Sequence, residues 1–310
     1  MKVISIIVII ITLLILGYFF IGNYFYNIAL NPKTDKTFVV GSGEQTEEEK
    51  KWKEEQLNWL SKNSKDVYIT STNNGNLKLH AYEINTNPNS KIWTIVIHGY
   101  TGQGSGMTGF AQRFTARGYN ILMVDLRSHG KSAGNYVGMG IHDRLDIVDW
   151  INYLIEKDSE SKIMLFGISM GAATTMMTTG ENLPTNVKLA IEDCGYTSVW
   201  DEFSYKLKQL FNLPEFPVLY AANTVCKIRA GYSFKEVASI EQVKKSKIPT
   251  LFIHGSADDF VPFRMLDEVY EAASCPKEKL VVEGATHAIA WAVDTELYWN
   301  TIDNFIEKYL

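Results

Sequence analysis

The stretch at residues 162–171, KIMLFGISMG, constrains the fold of this chain more than any other. A short apolar run at 163–166 leads into GISMG at 167–171, and the residues after it favour a helix. This order predicts a buried strand, a tight turn with Ser169 at its apex, and a helix. Flanking glycines remove the Cβ atoms that would clash in such a turn. The spacing therefore predicts a serine hydroxyl presented at the edge of a sheet.

The chain from residue 66 onward alternates between strand-like and helix-like runs. Strands are expected at 67–71 and 77–84, which form a hairpin about an Asn73-Asn74-Gly75 turn, and at 92–97, 120–124, 163–166, 187–192, 249–253 and 280–282. Helices are expected at 105–117, 142–156, 172–177, 265–273 and 295–309. Alternation of this kind predicts an α/β fold with a mostly parallel sheet flanked by helices.

One interval, at about 198–247, contains aromatic and aliphatic residues but no evident strand. We predict that it forms a small helical cap above the carboxyl edge of the sheet, where ligands bind in α/β folds. An ordinary crossover with extra helices is the alternative.

The N-terminus carries an uncharged apolar run at residues 3–21, followed by several aromatic residues. Nineteen helical residues span roughly 28 Å, close to the thickness of a bilayer core. We predict an uncleaved transmembrane anchor at 1–22, since a cleaved signal peptide has a shorter apolar region and small residues at its cleavage site. A juxtamembrane linker with a charged helix at 44–63 follows at 23–65. The balance of lysines barely selects an orientation; the short N-terminus favours a single-pass cell-membrane protein whose domain is extracellular.

Composition excludes several classes of function. The 310 residues carry a formal net charge of −5, which argues against nucleic acid as a partner. The three cysteines, Cys194, Cys226 and Cys275, form no C-x-x-C pair and indicate neither a metal site nor a disulfide framework. No cofactor is expected, and nothing in the sequence indicates the oligomeric state.

A serine hydroxyl is a weak nucleophile and needs a base, which in turn needs an orienting acid. Of the six histidines, His287 follows the last predicted strand, so its loop falls at the same sheet edge as Ser169. For the acid we favour Asp258, which follows the strand at 249–253, with Asp259 and Asp193 as rivals. Asp125 is expected to hold its loop together with Arg127 and His129.

The order Ser169, Asp258, His287 is that of the α/β-hydrolase triad, and residues 66–310 resemble the α/β-hydrolase superfamily. The segments that carry the resemblance are HGYTG at 98–102, DLRSHGKSAG at 125–134, GISMG, HGSADDFVP at 254–262 and GATHA at 284–288. Within the superfamily, the chain is similar to bacterial serine hydrolases likened to serine aminopeptidases or acyl esterases. The resemblance implies an oxyanion hole formed by the backbone N–H groups of Tyr100 and Met170.

The expected activity is cleavage of a small-molecule ester, thioester or amide through an acyl-enzyme on Ser169, with the membrane as a second partner. An acyltransferase on the same scaffold and a non-catalytic surface-binding protein are the alternatives. A run at 104–109, GSGMTG, mimics a dinucleotide-binding fingerprint, but the turn that precedes it is too long for that motif.

Overall fold

The computed structural model describes residues 1–41, 46–73 and 75–310. Within this part of the chain, one sheet contains eight strands: β1 (Lys65–Thr70), β2 (Lys78–Ile84), β3 (Ile92–Ile97), β4 (Asn120–Val124), β5 (Lys162–Ile168), β6 (Val187–Asp193), β7 (Thr250–Gly255) and β8 (Lys277–Val282). The spatial order is β1-β2-β4-β3-β5-β6-β7-β8. The pairs β1–β2 and β2–β4 are antiparallel and the others are parallel, which confirms the predicted mostly parallel sheet.

Helices cover both faces of the sheet. They are α1 (Lys2–Leu30), α2 (Thr37–Val40), α3 (Glu47–Asn63), α4 (Thr108–Thr115), α5 (Asp143–Lys157), α6 (Met170–Thr179), α7 (Val199–Phe211), α8 (Glu215–Ala230), α9 (Ser239–Val243), α10 (Arg264–Ala272), α11 (Ala290–Val293) and α12 (Thr295–Tyr309). A short 3₁₀ helix, Gly104–Met107, precedes α4.

The central strands form near-continuous apolar runs because both of their faces are buried. Along β3, Ile95 and Ile97 pack into the core on one face of the sheet, with Trp150 of α5. Val96 lies in the core on the other face, with Phe114 of α4 and Trp299 of α12. This two-sided burial is why the sequence shows little alternation between apolar and polar residues in these strands.

The charged segment after the anchor begins its helix at a capping box. The Thr46 side chain accepts a hydrogen bond from the Glu49 backbone N–H (3.1 Å), and the Glu49 carboxylate accepts from the Thr46 N–H (2.8 Å). The helix α3 ends at Asn63 as expected, and Leu60 is buried against the domain. Residues 44 and 45 of the predicted helix and Asn74 of the predicted hairpin turn lie outside the described residues.

The N-terminal helix α1 is long and apolar enough to cross a membrane, and its most apolar stretch is not buried against the domain. The helix continues past the predicted anchor boundary at residue 22 as far as Leu30. Tyr26 and Leu30 are buried in the domain core, so residues 23–30, predicted as the start of a linker, are the packed end of α1.

Candidate active site

The turn at Ser169 joins β5 to α6 in the predicted order of strand, turn and helix. Ser169 adopts φ 57° and ψ −119°, a left-handed backbone conformation that non-glycine residues rarely occupy. Its N–H donates to the carbonyl of Asp193 at 2.8 Å, which holds the turn against the end of β6. Strain of this kind persists only where the surrounding structure enforces it and is typical of functional sites.

The two glycines of GISMG allow β5, α6 and β3 to approach one another closely. A Cβ on Gly167 would lie 2.2 Å from the carbonyl oxygen of Gly171. A Cβ on Gly171 would lie 2.2 Å from the carbonyl oxygen of Ile97 and 2.7 Å from that of His98. The glycine spacing therefore reflects backbone contact between the helix and two strands, in addition to the turn itself.

Replacing Gly171 by alanine is expected to destabilise the fold by about 3 kcal/mol or more, because the clash is with backbone that no side-chain rotation relieves. Chemical denaturation monitored by circular dichroism measures the change. Gly106→Ala is the matched control, since a Cβ at Gly106 meets nothing within 4 Å. Equal stability of the two variants would contradict the proposed role of Gly171.

The structure brings the three predicted triad residues together. Ser169 Oγ lies 2.9 Å from His287 Nε2, and His287 Nδ1 lies 2.8 Å from Asp258 Oδ2. Ser169 follows β5, Asp258 follows β7 and His287 follows β8, so all three lie at the carboxyl edge of the sheet. The carboxylate accepts the Nδ1–H, which leaves Nε2 free to accept the proton of the serine hydroxyl.

Asp258 is held by two further backbone donors and a second histidine. Its Oδ1 accepts hydrogen bonds from the N–H groups of Phe260 and Val261, both at 2.9 Å. His254 Nε2 lies 3.2 Å from Oδ2 and 3.0 Å from the carbonyl oxygen of Val261. Burial by itself would raise the pKa of Asp258, but hydrogen bonds from His254 and His287 outweigh it and hold that pKa below its usual range. The carboxyl is therefore ionised at neutral pH.

His254 and Phe260 are site residues that the sequence argument missed. His254 Nε2 lies 3.2 Å from the same Asp258 oxygen that is 2.8 Å from His287 Nδ1. Phe260 stacks on the His287 ring, with centroids 4.7 Å apart, and the Lys206 ammonium lies 3.7 Å from the Phe260 centroid. Both lie in HGSADDFVP, within four residues of Asp258 in sequence. That proximity is the feature from which the sequence could have predicted them as site residues.

The two rivals for the acid have other contacts. The backbone carbonyl of Asp259 accepts hydrogen bonds from Tyr205 and Gln209, and the residue is exposed. The Asp193 carboxyl accepts from the Tyr298 hydroxyl at 2.9 Å, and burial raises its pKa to about 6. Neither forms the hydrogen bond to His287 that Asp258 forms.

The loop at 98–102 passes directly over Ser169. A Cβ on Gly99 would lie 3.3 Å from Ser169 Cβ, so a larger residue here would press on the nucleophile. His98 fixes the loop, with Nδ1 donating to the Gly99 carbonyl (2.8 Å) and Nε2 accepting from the Leu126 N–H (3.0 Å). Burial and the neighbouring His129 lower the pKa of His98 to about 3, so the ring is neutral and one tautomer is selected. Tyr100 follows in this loop and lines the cavities on both sides of Ser169.

The loop after β4 departs in part from expectation. Asp125 accepts hydrogen bonds from His80 (2.7 Å) and from the backbone N–H groups of Lys131 (2.8 Å) and Gly104 (2.6 Å). The Gly104 N–H thus ties the start of the 3₁₀ helix to the Asp125 carboxylate. The expectation that Asp125 acts together with Arg127 was wrong.

Arg127 points instead towards α5. Its Nε and Nη2 donate to the two oxygens of Asp146 at 2.8 and 2.7 Å, and both residues are buried. His129 Nδ1 lies 3.0 Å from the Arg127 carbonyl oxygen, and its ring packs against His98. The error arose because Asp146, the partner of Arg127, lies outside the segment at 125–134 on which the expectation was based.

Two cavities meet at Ser169. One, of about 850 Å³ including its open mouth, runs beneath the helices α7 and α8 and is lined almost entirely by apolar side chains, among them Phe203, Leu207, Leu219 and Phe234. The other lies between His287 and the loop at 98–103. A serine between two cavities can accept a substrate whose two halves diverge from the attacked atom.

Cys194 lies beside the triad but contacts it as a neutral thiol. Its Sγ, an Asp258 oxygen and a His287 nitrogen all lie within 4.8 Å of one another. Burial raises the pKa of the Cys194 thiol well above its ordinary value, with the nearby carboxyls adding to the effect. Metal binding requires a thiolate, and the same carboxylate and imidazole already bond to each other. The geometry therefore fits a hydrogen-bonded triad better than a metal site.

Glu202 is a buried acidic group in the apolar cavity, and its Oε2 has no hydrogen-bond partner among the residues that the structure describes. Burial raises its pKa to about 8, so the carboxyl is protonated in the folded protein at neutral pH. In the unfolded chain it ionises at its ordinary pKa. Its contribution to folding is therefore complete below that ordinary pKa and is lost as the pH rises through about 8.

We expect Glu202→Gln to increase the melting temperature relative to the unchanged protein, by an amount that grows from about pH 5 to about pH 8. Thermal unfolding across this range measures the difference. Glu156→Gln, at an exposed position on α5, should show no such growth. A melting-temperature difference that stays constant with pH would show that Glu202 is not protonated in the folded state.

Comparison with known proteins agrees with this architecture. The sequence pattern of the family described as serine aminopeptidase, S33, matches residues 88–213. The Pyrococcus furiosus esterase Pf2001 superposes with a TM-score of 0.66 at 25% identity, covering 86% of this chain and 96% of the esterase. The chain belongs to the α/β-hydrolase superfamily.

Other relatives of this hydrolase extend the comparison. The uncharacterized Bacillus subtilis protein YqkD is 28% identical over 69% of this chain and 70% of its own length. The α/β-hydrolase domain-containing protein WAV2 of Arabidopsis thaliana is 29% identical over 61% of each chain. Together with the esterase, these similarities support hydrolase activity in general.

Proposed function

We propose that this protein is a serine hydrolase that cleaves a carboxylic ester, thioester or small amide through an acyl-enzyme on Ser169. The observation that carries the proposal is the continuous hydrogen-bonded chain from Ser169 Oγ through His287 to Asp258. The strained turn at Ser169 and the two cavities that meet there support it.

In the proposed cycle, His287 Nε2 takes the proton of Ser169 as Oγ attacks the acyl carbon. The ionised carboxylate of Asp258 stabilises the imidazolium, and stacking on Phe260 holds the ring in place. His287 then gives the proton to the leaving group as its bond to the acyl carbon breaks. Water, deprotonated by the same imidazole, releases the acid and restores Ser169.

The oxyanion that forms in this step needs donors beside Ser169, and Met170 and Tyr100 are proposed for that role. Met170 is the first residue of α6, where a backbone N–H has no carbonyl partner within the helix. The N-terminus of the helix also favours negative charge. Tyr100 lies in the loop that crosses Ser169. Each donor of this type contributes about 3 kcal/mol to the transition state.

The apolar cavity favours an ester of a hydrophobic acid over a peptide with a free amino terminus. An ammonium group needs a charged partner, whereas Glu202, the acidic residue in that cavity, is protonated at neutral pH. The serine aminopeptidase name of the matching family therefore counts for less here than the esterase activity of the structural relative.

A panel of p-nitrophenyl esters and aminoacyl p-nitroanilides, combined with a fluorophosphonate probe, tests this proposal. We expect labelling of Ser169 and turnover of the esters, with slower turnover of the anilides. Transfer of the acyl group to an added alcohol or amine at the expense of hydrolysis would indicate an acyltransferase. Absence of both labelling and turnover would indicate a non-catalytic binding protein.

We also propose that α1 anchors the protein in the cell membrane as a single span, with residues 66–310 forming the extracellular hydrolase domain and 198–247 its cap. Support comes from the length and composition of α1 and from its unburied apolar stretch. Resistance to extraction by alkaline carbonate tests the anchor, and degradation of the domain by protease added to intact cells tests the orientation. Release by carbonate, or removal of residues 1–22 from the mature protein, would contradict the anchor.

A further inference from the structure

The apolar cavity beside Ser169 is walled in part by α1, the same helix that carries the apolar N-terminal stretch. Phe25, Ile28 and Ala29 line it together with residues of α7 and α8. The Tyr100 hydroxyl donates to the Ala29 carbonyl at 2.6 Å, which ties this wall to the loop over Ser169. The proposed membrane anchor is therefore also part of the candidate active site.

Contacts along α8 fix α1 relative to the cavity. A Cβ on Gly22 would lie 2.5 Å from the carbonyl oxygen of Ala221, so the two helices touch at the backbone. The Tyr18 and Thr224 hydroxyls are 3.0 Å apart, and Arg229 donates to the Asn23 side chain at 2.7 Å. These contacts join the apolar stretch and the cavity wall into one continuous element.

The distance along the helix places the cavity close to the bilayer. With about 1.5 Å of rise per residue, Phe25 lies about 6 Å and Ala29 about 12 Å beyond the end of the apolar run at residue 21. The polar layer on each side of a bilayer core is about 5–8 Å thick. If residues 3–21 span the core, the cavity wall begins within the headgroup layer.

Large apolar side chains are exposed on α8 and α2, which lie beside this wall. Phe216 and Ile228 of α8 are 70% and 67% exposed, and Phe38, next to the packed end of α1, is 60% exposed. Phe38 contacts Phe211, a cavity residue of α7. Large apolar side chains at such exposure are unfavourable in water but are stabilised in an acyl-chain environment.

The cavity itself suits a hydrocarbon chain. Its ionisable side chains include Glu202, which is protonated at neutral pH, and Lys206, whose ammonium lies over the Phe260 ring. Most other lining residues are aliphatic or aromatic. Together with the open mouth beside Ser169, this lining matches the chemistry of a hydrocarbon chain.

We propose that the substrate is a single-chain acyl ester resident in the bilayer, and that its chain enters the cavity along α1 without crossing water. This proposal rests on the proposed serine hydrolase activity. Ser169 Oγ bonds to the acyl carbon while the ester C–O bond breaks. The headgroup alcohol leaves with the proton that His287 carries, and water then releases the fatty acid.

The test uses the full chain reconstituted in vesicles of diether phosphatidylcholine, which has no carboxylic ester to cleave, with monopalmitoylglycerol as the probe. We expect the rate to follow the mole fraction of probe in the vesicle at constant bulk concentration. We also expect kcat/KM for soluble p-nitrophenyl esters to rise by up to about fourfold per added methylene until the cavity is filled. A rate that follows bulk concentration alone would overturn delivery from the bilayer.

Two substitutions on α1 distinguish an effect of the cavity wall from an effect of any change in the helix. Ile28→Trp narrows the cavity, so we expect the ratio of kcat/KM for the palmitoyl ester to that for the acetyl ester to fall by about tenfold or more. Phe20→Trp, at an exposed position of α1 outside the cavity lining, should leave the ratio unchanged.

Equal ratios in both variants would overturn the proposed path. If p-nitrophenyl acetate is hydrolysed and the fluorophosphonate probe labels Ser169 while monopalmitoylglycerol is spared, this proposal fails and the serine hydrolase stands. If p-nitrophenyl acetate, the fluorophosphonate probe and monopalmitoylglycerol all fail to react, the serine hydrolase proposal itself fails.

Discussion

Replacing Ser169 by alanine is expected to lower ester turnover by roughly a million-fold and to abolish labelling by a fluorophosphonate probe. The substitution removes the nucleophile of the proposed cycle, Ser169 Oγ, which lies 2.9 Å from His287 Nε2. His287→Ala should cause a loss of similar size, because residues of a triad act as a unit and their effects do not add. Steady-state rates and gel labelling measure both.

The fold should survive the Ser169→Ala change, since the side chain is small and the strained backbone remains. Circular dichroism and thermal unfolding verify this. Ser61→Ala, on the exposed surface of α3, is the matched control and should retain full activity and labelling. Labelling of Ser169→Ala equal to that of the unchanged protein would exclude Ser169 as the nucleophile.

Replacing Asp258 by asparagine is expected to lower kcat by about ten-thousand-fold. The carboxylate accepts hydrogen bonds at both oxygens, from two backbone N–H groups at Oδ1 and from His287 at Oδ2. An amide must direct its NH₂ group towards one of these donors. The favourable arrangement keeps the backbone contacts and turns the NH₂ towards His287, which stabilises the wrong imidazole tautomer and leaves Nε2 protonated.

Asp259→Asn is the matched control, one residue away and exposed, and should retain near-normal kcat. A large loss in Asp259→Asn or Asp193→Asn, with Asp258→Asn spared, would reassign the acid.

A second readout follows from the lowered pKa of Asp258. The ionised group favours folding at neutral pH, and this contribution is lost as the pH falls through that lowered pKa. The stability difference caused by Asp258→Asn should therefore shrink towards acid pH.

Much of the fold was predictable because the relevant signals are local. Buried parallel strands show as short apolar runs, and the helices between them show as longer amphipathic segments. The eight strands of the described residues fall where the pattern placed them, with ends shifted by a few residues. The relation of Ser169, Asp258 and His287 was also predictable, since the loops that follow parallel strands meet at one sheet edge.

The missed contacts are those between side chains whose partners depend on packing. Arg127 pairs with Asp146 because the packing of α5 brings that carboxylate within hydrogen-bond distance of the loop. His254 reaches Asp258 because the turn after β7 folds back on itself. Neither relation follows from periodicity, since hydrogen-bond geometry between loops depends on the positions of whole elements.

The sequence by itself determined the strand, turn and helix at Ser169, the order of the triad and the apolar run at residues 3–21, because each depends on residue types at close spacing. Only the tertiary structure decided what the far end of α1 contacts. Residues 23–30 carry no motif, and their burial depends on how α8 lies above the sheet. That packing turned a predicted linker into a wall of the cavity beside Ser169.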